Sequence, residues 1–523
     1  MIKVILIAWL ISNFRRQLLL TYWWQVKEYR FDRFWVFLKT KEGQNKTEVT
    51  WFLVKFLLLL STFLFKPTQY FYLPILFWEA IKLFYESFSR ELRKPKITLR
   101  TLSFLFTFFA FATIVIFLQW EKFNLNILLL SDVLSYLVPL LPLLLTSLFL
   151  KIILPSKRHK AISILKKYKP ITIAITGSYG KSSTKHLLFE LLNNFAPTVK
   201  TPASYNTTLG IIRAIHNLNP QTKYFLCEMG AYKKGEISSL CQIAKPDFAI
   251  ITGICSQHLA LFGDMENLIK AKYEIAQNLK PGGTLFVNWS LPSTNPIISL
   301  AKKDKINVVT YAFKQNNSQQ ADFLASITKQ NKNSTTLKVS TPQGPIEFIT
   351  NLTNSPELEN LTGALAVALS LKIPKESLKK ALFTLTENEL RIKIKQLSFN
   401  ITIIDDSYNS NPIGFGAALN TLAKSKGFKV LITDGIQELG KAGFDIHKNL
   451  GEKSRFVDLI LTTSSSFAKP FQTGLGKDKR KLVIIKQNIN VKRLKNLVKT
   501  PATILIEGRL PLQLINTINN LNQ

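Results

Sequence analysis

The sequence predicts an α/β protein that is preceded by a helical membrane region. Two uncharged apolar runs lie at residues 101–120 and 133–150, strand-like runs alternate with helical stretches after residue 165, and a glycine-rich turn follows the first of those strands. With 46% hydrophobic and 19% charged residues, the chain is predicted to be neither disordered nor a coiled coil. Its 523 residues leave room for about three domains.

The charge of the chain favours anionic partners. Lys and Arg number 68 and Asp and Glu number 33, which gives a formal net charge of +35. Nucleotides, anionic lipid headgroups, acidic metabolites and nucleic acids are the ligand classes that such a charge attracts. The basic residues are scattered and many flank the apolar runs, so the sequence predicts no nucleic-acid binding.

Residues 1–165 are predicted to form the membrane region. The uncharged runs 101–120 and 133–150 are each long enough to span hydrocarbon as a helix, although two prolines interrupt the second run. Basic residues are concentrated in the connecting segments, and a topology of two hairpins places these segments in the cytoplasm: 13–50, 86–100 and 151–160. The sequence therefore predicts a multi-pass protein of the cell membrane with the rest of the chain in the cytoplasm. Contact with anionic membrane lipid is an added hypothesis.

A weaker helical hairpin is predicted between the N terminus and the first strong span. Residues 51–65 and 67–85 are apolar and turn around Pro67. They also contain Lys55 and Glu79, whose charged groups must reach the interface or face protein rather than lipid.

After residue 165 the pattern is that of parallel α/β sheets. Residues 169–176 form an apolar strand-like run that is followed by glycines and then by a helical stretch at 181–195. Similar runs recur along the chain with helical stretches between most of them: 224–230, 247–254, 284–289, 401–406, 429–434, 459–464 and 503–508. Such alternation is typical of sheets whose strands are joined by crossover helices.

The most specific local signal is the turn TGSYGKSS at residues 176–183. Gly177 and Gly180 permit a tight turn, and Lys181 and Ser182 supply a cation and a hydroxyl. The first N–H groups of the following helix point into this turn. The turn therefore predicts a nucleotide-phosphate site, and the alternative is an ordinary connection between a strand and a helix.

Together with later segments, this turn resembles the Mur ligase family, the ATP-dependent amide-forming ligases of peptidoglycan synthesis. The matching segments follow the family's order and spacing: 176–183, EMGAYKKGEI at 228–237, SQHLALFG at 256–263, IKAKYEI at 269–275, DDSYNSNP at 405–412 and ELG at 438–440. The resemblance implies a P-loop central domain over 166–390 and a Rossmann-like C-terminal domain over 391–523. The helical membrane region, 1–165, stands where the family has a domain for its UDP-linked substrate.

The resemblance also implies a nucleotide site that binds ATP. Asn288 falls where the family contacts adenine, Arg391 where an arginine reaches the phosphates, and Asp406 where an acid contacts the ribose. The full set of implied nucleotide-binding residues is Gly177, Ser178, Gly180, Lys181, Ser182, Ser183, Asn288, Asn360, Arg391 and Asp406.

The implied metal and catalytic residues surround the same phosphates. Ser182 and Glu228 correspond to ligands of one Mg²⁺ ion, and His258 corresponds to the histidine at a second. Lys272 matches the lysine that CO₂ converts to an anionic carbamate between the two ions. The implied catalytic residues are Lys181, His258 and Lys272, and Asn206 falls where the family contacts the acyl substrate.

The reaction that the resemblance implies explains why cations are needed. A carboxylate does not react with an amine until its oxygen has attacked the γ-phosphate of ATP, and two anions must approach each other in that step. The resemblance implies a peptide-bearing cell-wall precursor as the acceptor and D-alanyl-D-alanine as the amine, with ADP and phosphate as products.

Three other functions stay open from the sequence. A ligase similar to poly-γ-glutamate synthase also combines membrane residence with this ATPase core. A P-loop ATPase that drives a membrane process makes no amide bond and tolerates the loss of Lys272. A scaffold without activity retains nucleotide binding alone.

Overall fold

The computed structural model describes residues 1–523 except 90–91, 204, 314–320, 332, 386–392, 398–399, 408–409, 487–488 and 522–523. The described chain forms two compact units. One contains Met1–Pro155 with Lys486–Arg493 and Pro511–Asn520, and the other contains Ser156–Ile485 with Leu494–Leu510.

The N-terminal part of the chain is helical. Its helices are α1 (Ile2–Val26), α2 (Phe31–Leu38), α3 (Lys41–Thr47), α4 (Val49–Leu64), α5 (Tyr72–Phe88), α6 (Leu99–Glu121), α7 (Leu125–Leu134) and α8 (Leu140–Tyr168), and a short 3₁₀ helix (Lys66–Phe71) precedes α5. Within the described part of the chain, three helices are long and apolar enough to cross a membrane: Ile2–Val26, Leu99–Trp120 and Leu140–Tyr168.

The predicted spans agree with these helices in part. The run 101–120 lies within α6, as expected, but the run 133–150 is divided between the end of α7 and the start of α8. Pro139 and Pro142 explain the division, because a proline cannot donate the backbone hydrogen bond of a helix interior but is tolerated in a first turn. The second apolar helix therefore begins at Leu140 and continues beyond the predicted run.

Charged side chains inside the helical unit face protein. The Nζ atom of Lys55 on α4 lies 2.6 Å from Glu79 Oε2 on α5 and 2.7 Å from Asp132 Oδ2 on α7. Arg16 of α1 pairs with the same two carboxylates, and all four residues are buried. Two cations and two anions balance one another, which is how buried charges are tolerated in apolar surroundings.

The central sheet follows α8. Its strands are β1 (Ile171–Thr176), β2 (Thr198–Lys200), β3 (Tyr224–Glu228), β4 (Phe248–Ile251), β5 (Thr284–Asn288), β6 (Asn307–Phe313), β7 (Phe323–Gln330), β8 (Thr335–Thr341) and β9 (Gly344–Thr350). Their order is β2-β3-β1-β4-β5-β6-β7-β8-β9. The pairings are parallel as far as β7, and β7, β8 and β9 form an antiparallel meander.

Helices cover the central sheet and are α9 (Lys181–Asn193), α10 (Thr208–Ile215), α11 (Glu236–Ala244), α12 (Leu259–Phe262), α13 (Met265–Gln277), α14 (Asn295–Lys303), α15 (Ser355–Ser370) and α16 (Lys375–Thr384). Leu187, Leu188 and Leu191 lie on one face of α9 and are buried in the same apolar core as Leu361 and Leu365 of α15. Because β1, β3 and β4 run in parallel, their carboxyl ends meet at one edge of the sheet, where ligands bind in such folds.

The C-terminal sheet contains β10 (Lys393–Leu397), β11 (Ile401–Asp406), β12 (Phe428–Thr433), β13 (Leu459–Thr462), β14 (Leu482–Ile484) and β15 (Ala502–Glu507), in the order β10-β11-β15-β12-β13-β14. Only β10 is antiparallel to its neighbour. The helices of this region are α17 (Pro412–Lys424), α18 (Gly443–Lys453), α19 (Ser465–Leu475), α20 (Val491–Leu497) and α21 (Leu512–Asn519). The prediction of α/β sheets with parallel strands is confirmed.

The buried imidazole of His447 on α18 is expected to make the stability of the protein depend on pH. The backbone N–H of Ile436 donates to its Nε2 at 3.0 Å, and burial lowers the pKa of His447 to about 4. The unfolded chain binds this proton near pH 6.5, so the free energy of unfolding falls as the pH is lowered from about 6.5 to about 4, by on the order of 2–3 kcal/mol. Acid denaturation followed by circular dichroism measures this loss.

The variant His447→Gln keeps an acceptor for Ile436 but cannot titrate, so we expect its stability to change less with pH in that window. The exposed His159 provides the control, because His159→Gln should retain the full slope. Equal slopes for the wild type and His447→Gln would contradict the assignment.

Candidate active site

The turn between β1 and α9 is shaped for a ligand that approaches the backbone closely. A Cβ atom on Gly177 would lie 2.2 Å from Thr252 Oγ1, and one on Gly180 would lie 2.4 Å from Asn360 Oδ1. Gly180 also has a φ of +76°, a conformation that favours glycine. The turn is therefore built for glycine at both positions, and it leads directly into the N terminus of α9, where the first helical N–H groups have no partner within the helix.

Contacts with the end of β4 hold this turn in place. The Ser178 N–H donates to Gly253 O at 2.8 Å, and the Ser178 hydroxyl donates to Cys255 O at 3.1 Å. The Nζ of Lys181 lies 2.8 Å from Gly177 O, so its ammonium group lies over the turn. A phosphate group in the turn would therefore meet the first backbone N–H groups of α9 and the ammonium group of Lys181.

Glu228 and Ser182 bring two oxygen ligands together beside the turn. Glu228 is the last residue of β3, and its Oε2 accepts a hydrogen bond from Ser182 Oγ at 2.9 Å. Its other oxygen, Oε1, lies 3.5 Å from Asn206 Nδ2. Carboxylate and hydroxyl oxygens suit Mg²⁺, which usually binds one or two carboxylates together with substrate phosphates.

Lys185, which carries no motif signal of its own, belongs to this group. Its Nζ lies 2.9 Å from Glu228 Oε2, and both side chains are almost fully buried. Lys185 lies four residues after Lys181 on α9, and residues with this spacing share a helix face. The four-residue spacing between Lys181 and Lys185 was therefore the sequence signal that could have identified Lys185. Lys185 supplies a second positive charge next to the phosphate turn and orients Glu228.

A small cleft opens beside the turn. Three predicted catalytic residues line it together, namely Lys181, His258 and Lys272. The other lining residues come from the turn, from the segment before α10, from the segment after β3 and from the segment around α12: Gly177, Ser178, Asn206, Gly230, Ala231, Tyr232, Gln257 and Phe262. The fold thus brings together side chains that lie far apart in the sequence, and Tyr232 and Gln257 are additions that sequence reasoning missed.

Lys272 of α13 is a buried lysine next to another cation. Burial, and second the positive charge of Lys181, lower the pKa of its amine to about 7. The Nζ of Lys272 also lies 5.8 Å from the centre of the Phe262 ring. At neutral pH a large fraction of this amine is uncharged, and an uncharged amine is a nucleophile.

Six of the described residues predicted to bind nucleotide do not line this cleft, namely Gly180, Ser182, Ser183, Asn288, Asn360 and Asp406. The Nδ2 of Asn288 donates to Thr252 O at 2.9 Å, and its Oδ1 accepts from Ser290 N at 2.9 Å. Its amide therefore ties the end of β5 to β4, and its contact with adenine stays a prediction.

Two of the other predicted residues lie closer to the phosphate turn. The Oδ1 of Asn360 on α15 accepts from Thr184 Oγ1 at 3.2 Å and faces Gly180, so this side chain adjoins the start of α9. Ser183 lies in the first turn of α9.

Asp406 ends β11 and is buried, with its backbone O accepting from Gly508 N at 3.1 Å. Arg391 lies outside the described residues, so its prediction is untested.

No three His, Cys, Asp or Glu side chains gather into a metal site within the described ranges. The oxygens of Ser182 and Glu228 fit a Mg²⁺ ion that is bound mainly by nucleotide phosphates. A second ion near His258 and Lys272 requires an anionic ligand, because two lysines in the same cleft repel a cation.

Comparisons with known proteins agree on one family. The profile of the Mur ligase middle domain matches residues 175–368. The UDP-N-acetylmuramoyl-tripeptide--D-alanyl-D-alanine ligase of Buchnera aphidicola is 31% identical over 351 residues, which cover 66% of this chain and 75% of that ligase. The Escherichia coli ligase of the same name is 28% identical over 344 residues, covering 64% and 73%. A crystal structure of MurF from Acinetobacter baumannii is 26% identical and covers 71% of this chain and 80% of its own, with a TM-score of 0.63.

Proposed function

Because this chain belongs to the Mur ligase family, we propose that it is an ATP-dependent ligase that adds D-alanyl-D-alanine to the peptide of a peptidoglycan precursor. Members of this family form amide bonds at the expense of ATP. The relatives from Buchnera aphidicola and Escherichia coli are named as ligases of a UDP-N-acetylmuramoyl tripeptide and D-alanyl-D-alanine.

The observation that carries the proposal is the shared cleft of Lys181, His258 and Lys272 beside the phosphate turn. A nucleotide whose phosphates enter this turn has its γ-phosphate near all three side chains. Asn206 lines the same cleft, so an acceptor carboxylate can reach the γ-phosphate from its side.

The proposed reaction has two steps. An oxygen of the acceptor carboxylate attacks the γ-phosphorus, and the bond from this phosphorus to the β-phosphate oxygen breaks. ADP leaves, and an acyl phosphate remains. The amine nitrogen then attacks the acyl carbon, the C–O bond to phosphate breaks, and the amine loses a proton as the amide forms. Phosphate therefore leaves with one oxygen of the acceptor.

The residues of the cleft and of the adjoining turn reduce the repulsion between the acceptor carboxylate and the γ-phosphate. Lys181 and the N–H groups of the turn bind the β- and γ-phosphates, and Lys185 holds the Glu228 carboxylate in place. Ser182 and Glu228 would hold Mg²⁺, which when bound neutralises phosphate charge. The uncharged amine of Lys272 adds to CO₂ and loses a proton. The resulting carbamate is an anion, so it no longer repels the ammonium group of Lys181.

We propose that the chain is a multi-pass membrane protein with its sheets in the cytoplasm. Support comes from large apolar side chains that are exposed on the helices, such as Leu64 at 92%, Phe106 at 76% and Ile152 at 77%. We expect the protein to stay with the membrane fraction through washes with high salt and with alkaline carbonate. Release by salt alone would show electrostatic attachment, and recovery in the soluble fraction would contradict the proposal.

Purified protein incubated with ATP, Mg²⁺, a UDP-linked muramoyl tripeptide and D-alanyl-D-alanine tests the proposed activity. We expect phosphate release that depends on both co-substrates and a product whose mass matches the amide. Product formation with glutamate instead would favour the poly-γ-glutamate type of ligase. Phosphate release that needs neither co-substrate would favour a P-loop ATPase without ligation.

A further inference from the structure

We propose that residues 92–100, called here the basic segment, bind the phosphate groups of anionic phospholipids at the cytoplasmic surface of the membrane. The basic segment lies between α5 and α6 and includes the first two residues of α6. Lys94, Lys96 and Arg100 are the side chains that contact the lipid phosphates. This inference rests on the proposed membrane location, because it names the lipid class that the protein meets at one end of its spans.

The basic segment lies where the ends of two candidate spans meet. The helix α1 ends at Val26, and α6 begins at Leu99. The Gln25 side chain at the end of α1 joins the backbone of Lys96 twice, because its Nε2 donates to Lys96 O at 2.9 Å and its Oε1 accepts from Lys96 N at 2.7 Å. The ends of apolar spans mark the edge of the hydrocarbon, so the basic segment lies at the level of the lipid headgroups.

The positive charge of the basic segment is not neutralised by acidic side chains. Residues 92–100 contain no Asp or Glu. Among the described residues, the side chains of Lys94, Lys96 and Arg100 have no carboxylate partner, and both lysines are exposed. Three cations within seven residues therefore remain available to an external anion.

The carboxylates next to the end of α1 are paired with other residues. Glu28 Oε1 lies 2.8 Å from Arg33 Nη1, and Asp32 Oδ2 lies 2.6 Å from Arg30 Nη2. The basic segment thus keeps a local excess of positive charge, which the negative surface of a membrane attracts.

The guanidinium group of Arg100 is held flat at this level. Its Cζ lies 4.3 Å from the centre of the Tyr29 ring, and its Nη2 donates to Ser147 Oγ at 3.4 Å. Its Nε is buried and has no hydrogen-bond partner among the described residues. An unpartnered donor is costly, and a phosphate group supplies the acceptor oxygens that the planar guanidinium group binds best.

Two apolar side chains of the basic segment favour a lipid over a soluble anion. Ile97 is 83% exposed and Leu99 is 89% exposed, and both lie beside the exposed Lys96. A soluble polyanion would cover the cations but leave these side chains in water. A bilayer surface takes up both kinds of side chain, because phosphates bind the cations while the apolar groups enter the boundary with the acyl chains.

Titration of the full-length protein in detergent with phosphatidylglycerol, followed by native mass spectrometry, tests the proposal. We expect the wild type to bind phosphatidylglycerol more tightly than the zwitterionic phosphatidylcholine. Lys94→Gln and Lys96→Gln should each weaken phosphatidylglycerol binding about fivefold, and the double variant about 25-fold. The matched control is Lys66→Gln, which removes an exposed lysine between α4 and α5 and should bind as the wild type does.

Three results of this titration would overturn the proposal. They are equal affinity of the wild type for the two lipids, unchanged phosphatidylglycerol affinity in the double variant, and an equal loss in Lys66→Gln. Displacement of phosphatidylglycerol by an excess of inorganic phosphate would show a site for free phosphate, which also contradicts a lipid surface.

Variants of Arg100 test the role of its guanidinium group. We expect Arg100→Gln to weaken phosphatidylglycerol binding about fivefold, and Arg100→Lys, which keeps the charge, to lose less. Unchanged affinity in a folded Arg100→Gln protein would contradict the role of this side chain. Because Lys94 and Lys96 are exposed, their variants keep the proposal testable if Arg100→Gln fails to fold.

Insertion of the basic segment into the membrane surface gives a second readout. The three native cysteines are buried, so a fluorophore can be attached selectively to Ile97→Cys. In lipid nanodiscs with phosphatidylglycerol, we expect lipids that carry a spin label near the headgroup to quench this fluorophore. A fluorophore on Lys303→Cys, at the exposed end of α14, should not be quenched. Absence of quenching at position 97 would contradict the proposal.

Failure of the proposed membrane location gives a different result from failure of this inference. Recovery of the protein in the soluble fraction would contradict the location itself. A protein that stays in the membrane fraction but does not distinguish the two lipids would leave the location intact and overturn the role of the basic segment. Neither lipid measurement depends on ligase activity.

Discussion

Replacing Lys181 with alanine is expected to lower the rate of ATP-dependent ligation about a thousandfold, as for loss of a preorganised charge at a reacting group. The Lys181 amine lies over the phosphate turn, 2.8 Å from Gly177 O, and lines the cleft. No other described lysine of α9 can replace it, because Lys185 is already paired with Glu228. Steady-state phosphate release and product mass measure the effect.

The control for this variant is Lys303→Ala, which removes an exposed lysine at the end of α14 and should leave the rate unchanged. Thermal unfolding of both variants checks that the sheet is intact. If Lys181→Ala keeps its ATP affinity and its turnover, the phosphates do not bind in this turn, and the role assigned to Lys181 is wrong.

Replacing Lys272 with alanine is expected to abolish ligation while leaving ATP binding largely intact. The reason is that the proposed carbamate at Lys272 adds a negative charge to the cleft, and this charge attracts the cations that accompany the phosphates beside Lys181. We expect removal of CO₂ to lower the activity of the wild type and added bicarbonate to restore it. Neither treatment should affect the residual activity of Lys272→Ala.

Lys270→Ala is the matched control, because Lys270 lies on the same helix but is exposed and paired with Glu266. Labelled bicarbonate should give a carbamate signal in nuclear magnetic resonance spectra of the wild type and of Lys270→Ala only. The signal should form more slowly as the pH falls below about 7, because the Lys272 amine is then protonated. Full ligation by Lys272→Ala would contradict the carbamate and favour an ATPase that makes no amide.

The strands at the centre of each sheet could be predicted because they are buried on both faces and consist of continuous apolar runs, as in β1 and β15. The edge strands β2 and β14 could not, because three residues carry no periodic pattern. The helix boundary at Leu140 depends on where two prolines fall within a single apolar run, which hydropathy alone does not locate.

The residues of the candidate site also divide into those that could be predicted from the sequence and those that could not. Lys181, His258 and Lys272 could be predicted from motifs, and the fold brings them to one cleft. Glu438 and Lys185 could not be assigned a partner from the sequence, because their contacts depend on how distant segments meet: His258 and Glu438 are 180 residues apart. Asn288 shows the opposite case, since its amide is engaged by the protein around it.

The most direct test of the account follows the oxygen atoms of the acceptor. An acceptor whose reacting carboxylate carries heavy oxygen is incubated with the protein, ATP, Mg²⁺ and D-alanyl-D-alanine, and the released phosphate is analysed by mass spectrometry. An acyl-phosphate route predicts one heavy oxygen in the phosphate for each amide formed. Phosphate that carries oxygen only from ATP and water would contradict it.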